Sequence, residues 1–198
     1  MLNNVIVSNI EENQLSSPES PYTISLRRDD FEDEKQFVKF IKNCEKLVRG
    51  SSEYSYWREY LREVLGEYAC DITGEINSQT TVDIHHHPFT LFLIIKGVVR
   101  KYLDNCVPFC TFDICMDAIE LHYKNKIGYI PLLSSLHEKY HNGFLLLPME
   151  LVHGNYKSFQ EEYSKYLEVD DISDIQEKLD ITYKNCGWEK YNWMKDRY

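Results

Sequence analysis

A mostly helical α+β domain is what this chain predicts, and three observations carry the expectation. Apolar residues recur at helical spacing in several separate segments. A short run rich in Thr and Val just before a histidine cluster favours extended backbone. With 43% hydrophobic residues in 198, the chain can bury one real core. The expected organisation is an arm over residues 1–28 and a single domain over 29–198.

The arm is rich in Asn, Ser, Pro and Glu, with Ser16-Ser17-Pro18-Glu19-Ser20-Pro21 as its clearest loop signal, and reads as mobile or draped over a partner. From Phe31 to Val48 the positions Phe37, Phe40, Ile41, Cys44, Leu47 and Val48 predict a helix that Gly50 stops. Trp57, Tyr60, Leu61, Val64, Leu65 and Tyr68 predict a second, capped by Ser51 or Ser52. Cys70 to Glu75 reads as a tight turn. Thr80 to His86 reads as a strand that Pro88 ends. Leu91 to Leu103 and Ile114 to Tyr123 predict two further helices. Pro131 suits a first helical turn and Asn142-Gly143 a stop, so a short helix is expected over Pro131 to His141. Tyr156, Phe159, Tyr163, Tyr166 and Leu167 suggest one more amphipathic helix, before a tail bearing Trp188, Tyr191 and Trp193.

The formal charge of −10 and pI of about 5.2 mean that the chain as a whole repels polyanions, so nucleic-acid binding requires a local basic face. Fifteen tyrosines suit half-wet surfaces, partner interfaces or base stacking. Met1 to Asn4 lack a basic segment leading into an apolar one, which predicts a protein kept in the cytoplasm, the host's if the chain is viral. Leu91 to Val99, the longest apolar run, is broken by Lys96 and is too short to span a bilayer, so no membrane helix is expected. The six cysteines lack the dense spacing of a disulfide scaffold.

Five of the seven histidines fall in two places, His85-His86-His87 and the pair His137, His141. Residues four apart share a helix face, so His137 and His141 can aim both imidazoles at one ion. His85 supplies a third nitrogen and leaves positions open for water and a phosphate oxygen, as a catalytic rather than structural metal site requires. His86 has an ordinary pKa suited to a general base. Strand alternation, however, puts Asp83, His85 and His87 on one face and His86 on the other, so His86 and His85 serve one centre only at a twisted strand end. His86-His87 is the alternative functional pair.

The order Asp83-x-His85-His86 followed by a helix with His137-x3-His141 resembles the ββα-metal (HNH) endonucleases, with a ligand pattern closest to the colicin-type DNases. Cys70-x2-Thr73-Gly74 is similar to the knuckle that opens many such modules. The resemblance covers about residues 70–143 and implies an expanded ββα-metal core flanked by N- and C-terminal helices, with about fifty residues looped out between His86 and His137. It implies His85, His137 and His141 as ligands of one divalent ion (Mg²⁺, Mn²⁺, Zn²⁺ or Ni²⁺), His86 as the base that activates water, and Asp83 as a supporting carboxylate. The implied activity is nicking or cutting of DNA, in a phage or mobile element. Lys96, Arg100 and Lys101 are the candidate phosphate contacts. His122 and His153 have no partner at metal spacing. Two other readings stand beside these. Cys70, Cys106, Cys110 and Cys115 offer four thiolates for a structural zinc, although without a C-x2-C pair. The second is a catalytically inactive, metal-stabilised protein that binds a partner protein through its acidic, Tyr-rich surface.

Overall fold

The computed structural model describes residues 24–67, 69–75 and 82–185. Seven helices and a small antiparallel sheet follow in the order α1 (Glu34–Gly50), α2 (Ser52–Glu63), β1 (Val82–His86), α3 (Leu91–Asp104), α4 (Thr111–Tyr123), β2 (Gly128–Leu133), α5 (Ser134–His141), β3 (His153–Gly154), α6 (Tyr156–Tyr163) and α7 (Val169–Asn185). The mostly helical α+β class expected from the sequence is what forms. No helix among the described residues is long and apolar enough to cross a membrane.

Local chemistry sets the helix starts. The Asp33 carboxylate accepts from the Gln36 N–H, the Ser51 hydroxyl from Tyr54, the Thr90 hydroxyl from Leu93 and the Asn155 amide oxygen from Ser158, each satisfying a first-turn donor that has no partner within its helix. Phe37, Ile41, Cys44 and Val48 of α1 then pack on Ile94, Ile95 and Val98 of α3 and Ile114 and Ile119 of α4 in the main core. Leu26 bridges to Phe109 through two backbone hydrogen bonds of 2.6 and 3.1 Å, so the described end of the arm is tied to the fold rather than mobile.

The sheet has the order β1-β2-β3 with antiparallel pairing throughout, and His85 faces Ile130 while His86 faces Tyr129 across the β1–β2 register. Its two faces meet different neighbours. Ile84, His86 and Tyr129 turn toward the helical core, whereas Ile130 and Leu132 join Cys70 and Leu147 in a second, smaller core.

Three elements differ from the sequence expectation. Pro131 lies inside β2 and the helix begins only at Ser134, because β3 pairs with Gly128 and Tyr129 alone and leaves Pro131 without a strand on that edge. The Pro131 carbonyl instead accepts from the Asp71 N–H of the turn. No helix was expected after Leu167, yet α7 forms there and turns Ile172 and Ile175 toward the main core. The expected tail aromatics Trp188, Tyr191 and Trp193, the helix-end Tyr68 and the strand start at Thr80 lie outside the described residues.

Gly128 is where β2 enters the sheet, and a Cβ there collides with the His87 backbone oxygen and meets the Tyr156 and Val152 side chains at 2.8 Å. Gly128→Ala is therefore expected to cost about 1–3 kcal/mol by overpacking, read as a lower denaturant midpoint with an unchanged m-value.

Candidate metal centre

The centre grows from a strand, its neighbouring strand and the helix that follows. β1 supplies Asp83 and His85 on one face, β2 pairs with it, and α5 leaves β2 without an intervening loop and carries His137 and His141 one turn apart. His85, His137 and His141 each bring a ring nitrogen to within 4.8 Å of the others, and this is the one such ligand cluster among the described residues. The Nε2 atoms of His137 and His141 are 3.0 Å apart, and the His85 ring lies 4.9 and 5.4 Å from theirs between centroids. Bonds of ~2.1 Å to one ion place donor atoms roughly 3–3.5 Å apart, a spacing the cluster reaches with small ring movements.

Two further observations fit an ion at this point. The His85 Nε2 is buried without a hydrogen-bond partner, although a buried ring nitrogen ordinarily has one. Asp83 Oδ2 stands 3.4 Å from His137 Nδ1, behind the ring, where a carboxylate orients a ligating imidazole and fixes its tautomer. Burial, followed by the charges of His137, His87, His141 and Arg49, pulls His85 down to about 2. Burial, then His137, Arg49 and Lys178, lowers His141 as well. Both rings are thus unprotonated at neutral pH, the form that binds metal.

His86 lies elsewhere. His86 is 3% exposed, its ring on the opposite face of β1 against Tyr54 and Trp57, and its Nε2 is 2.9 Å from that of His122. The His122 Nδ1–H donates to the Ala118 carbonyl at 2.6 Å, so the His122 Nε2 accepts and the His86 Nε2–H donates. The expectation that His86 is the general base is corrected on this geometry, because the strand does not twist enough to bring adjacent side chains to one centre. His87, two residues beyond His85, returns to the His85 face, with its ring 6.1 Å away. It is 4% exposed, neither ring nitrogen is hydrogen-bonded, and it lines a cavity of about 190 Å³ with Tyr140, His141, Lys178 and Thr182. Period-2 alternation was the signal for it.

The expected phosphate contacts are also placed differently. Lys96 is buried and paired with Asp171 and Glu168 at 2.7 and 2.9 Å, Arg100 is paired with Glu168 at 2.7 Å, and Lys101 with Glu162 at 2.7 Å. These three cations fasten α3 to α6 and the start of α7, and partners 61 to 75 residues away are invisible in a local charge pattern. Cys70 sits in the small core, Cys106 is exposed and Cys115 is buried beside Cys44, so the four cysteines do not assemble a thiolate site.

His153 is the remaining imidazole. Burial lowers it, but hydrogen bonds to Asp71 and Glu67 prevail and raise it to about 10, with Nε2 to Asp71 Oδ2 at 2.8 Å. This pair ties β3 to the turn that precedes β1. Because the folded value lies above the ordinary 6.5, the stabilisation is complete below 6.5 and lost as pH rises through 10. His153→Gln is expected to cost about 1–2 kcal/mol at pH 7, a figure reduced for the 31% exposure of the ring, and almost nothing near pH 10.5 by urea denaturation.

An α+β fold with a three-histidine cluster is thus the class that the structure defines. Residues 1–192 match the bacteriophage G278-like virion protein family, and the chain belongs to that family. No curated protein and no solved structure matches it.

Proposed function

We propose that this virion-family protein is a metal-dependent DNA endonuclease with an expanded ββα-metal core. The observation that carries the reading is the strand-strand-helix order in which β1 supplies His85 and the helix directly after β2 supplies His137 and His141, their donor nitrogens within 4.8 Å. In this reading α3 and α4 form the insertion looped out between the two strands. A divalent ion held there supplies Lewis acidity toward a phosphoryl oxygen and makes water a nucleophile near neutral pH. Asp83 keeps the His137 ring in its ligating orientation. His87 takes the place first given to His86, because its ring lies on the same side of β1 as His85, 6.1 Å away, and burial, the larger cause, holds it at about 4, so that it is unprotonated at neutral pH.

A second reading is favoured by the virion family and by the net charge of −10. Here the histidine centre is structural, and the exposed Tyr56 and Tyr60 of α2 belong to a contact with another protein. Relaxation of supercoiled plasmid separates the two. Nicking by the purified protein with Mg²⁺, Mn²⁺, Zn²⁺ or Ni²⁺ that stops with chelator and in His87→Ala supports the endonuclease. A folded, metal-loaded protein that cuts nothing with any ion, and melts at lower temperature once stripped, supports the structural centre.

A further inference from the structure

The endonuclease reading needs a surface that attracts DNA to a strongly acidic protein, and α1 provides one. Lys35, Lys39, Lys42, Lys46 and Arg49 follow at steps of four, three, four and three residues. At 3.6 residues per turn they fall within an arc of roughly 80°, and the row is about 21 Å long at 1.5 Å per residue. All five are exposed, and the opposite face buries Phe37, Ile41, Cys44 and Val48. Among the described residues none of the four lysines is in an ion pair, and Arg49 reaches only Glu45 beside the row. That sets α1 apart from α3, whose Lys96, Arg100 and Lys101 are all paired with carboxylates.

A solvated helix face ordinarily interleaves signs at a spacing of four, because like charges there repel. A one-sign row in a chain of net charge −10 accepts that repulsion, and a polyanion relieves it. Between Lys35, Lys39 and Lys42 the surface is dished and lined also by Glu34, Val38 and Asn43.

We infer that the solvent face of α1 is the DNA track of this protein, on which Lys35, Lys39, Lys42, Lys46 and Arg49 hold the phosphate backbone. The inference rests on the endonuclease reading for the choice of DNA as the polyanion. A row of about 21 Å spans about six base pairs at 3.4 Å each. The contacts are to phosphate, so they position a duplex without selecting a sequence.

The test is binding of a short labelled duplex by fluorescence anisotropy over a range of NaCl, in chelator, so that cleavage plays no part. The proteins are wild type, the stripe variant Lys35→Gln/Lys39→Gln/Lys42→Gln/Lys46→Gln, and a control that removes the same charge elsewhere, Lys124→Gln/Lys157→Gln/Lys165→Gln/Lys184→Gln. With four or five phosphate contacts, wild-type affinity should fall with a log-log salt slope of about −4. The stripe variant should bind at least about ten-fold more weakly, with a slope near −1. The control should stay within about three-fold of wild type. Equal losses in stripe and control variants, or no binding by wild type at low salt, overturn the track. Stripe-dependent binding without metal-dependent cleavage keeps the track and removes the endonuclease reading. Cleavage that ignores the stripe does the reverse.

Discussion

Replacing His137 with alanine is expected to weaken binding of Zn²⁺ or Mn²⁺ by more than about 100-fold and to reduce metal-dependent DNA cleavage to background. The size follows from position. His137 has its Nε2 3.0 Å from His141, its ring 4.9 Å from His85 and its Nδ1 facing Asp83, so its loss removes one ligand and the only link between carboxylate and centre. Loss of an outer partner alone typically costs 10–100-fold in affinity, and loss of a ligand exceeds that. Asp83→Asn is the internal comparison. It keeps all three nitrogens and removes only the charge behind one ring, so it should fall inside the 10–100-fold range. The His137 side chain is 26% exposed on a short surface helix, so the variant should keep the wild-type circular dichroism spectrum. Titration calorimetry on metal-free protein reads the affinity and plasmid relaxation the activity. Unchanged affinity in His137→Ala would place the ion elsewhere, and unfolding on metal loss in wild type would favour the structural reading.

Much of the helical fold was legible because apolar spacing survives in the sequence. Phe37, Ile41, Cys44 and Val48 mark the buried face of α1 without ambiguity. β2 was hidden by Pro131, since proline inside an apolar run argues against a strand and favours a helix start. Only tertiary context, a partner strand too short to reach it, makes that proline acceptable. α7 was hidden by its charge, because its few inward residues are spread among aspartates and glutamates.

The site was legible to the same degree. His-x3-His on one helix, answered by His85, is a geometric statement that a sequence can make, and the three rings meet. Adjacency misled at His86, where the resemblance to ββα-metal nucleases and strand alternation disagree and the alternation decides. Positive charge misled at Lys96, Arg100 and Lys101, since a sequence shows cations but not the distant carboxylates that neutralise them. The α1 lysines follow a helical spacing that was visible all along, and lack of carboxylate partners is what marks them out.

His86→Ala separates the two roles that residue has been given, and it should act on stability rather than on the metal. The ring is packed against Tyr54 and Trp57, and its removal leaves a cavity and a buried His122 Nε2 without a donor. Cavity formation around a lost aromatic ring and one unsatisfied acceptor together predict a loss of about 3–5 kcal/mol at pH 7, with metal affinity within a few-fold of wild type. The same pair makes the fold sensitive to acid. Burial holds His86 well below its ordinary 6.5 and His122 at about 4, so both are neutral when folded and take up protons on unfolding. A depressed histidine stabilises fully above 6.5, and that contribution is lost as pH falls from 6.5 through 4. For His122 the slope approaches about 1.4 kcal/mol per pH unit inside that window. His85 and His141 are held low by burial as well, so the comparison is with His122→Leu, both proteins in chelator. The variant should start less stable at pH 7 yet lose less stability between pH 6.5 and pH 4.5, by up to about 2 kcal/mol in urea melts. Parallel losses in the two proteins would show that His122 is protonated in the fold, and the His86-His122 hydrogen bond as drawn would be wrong.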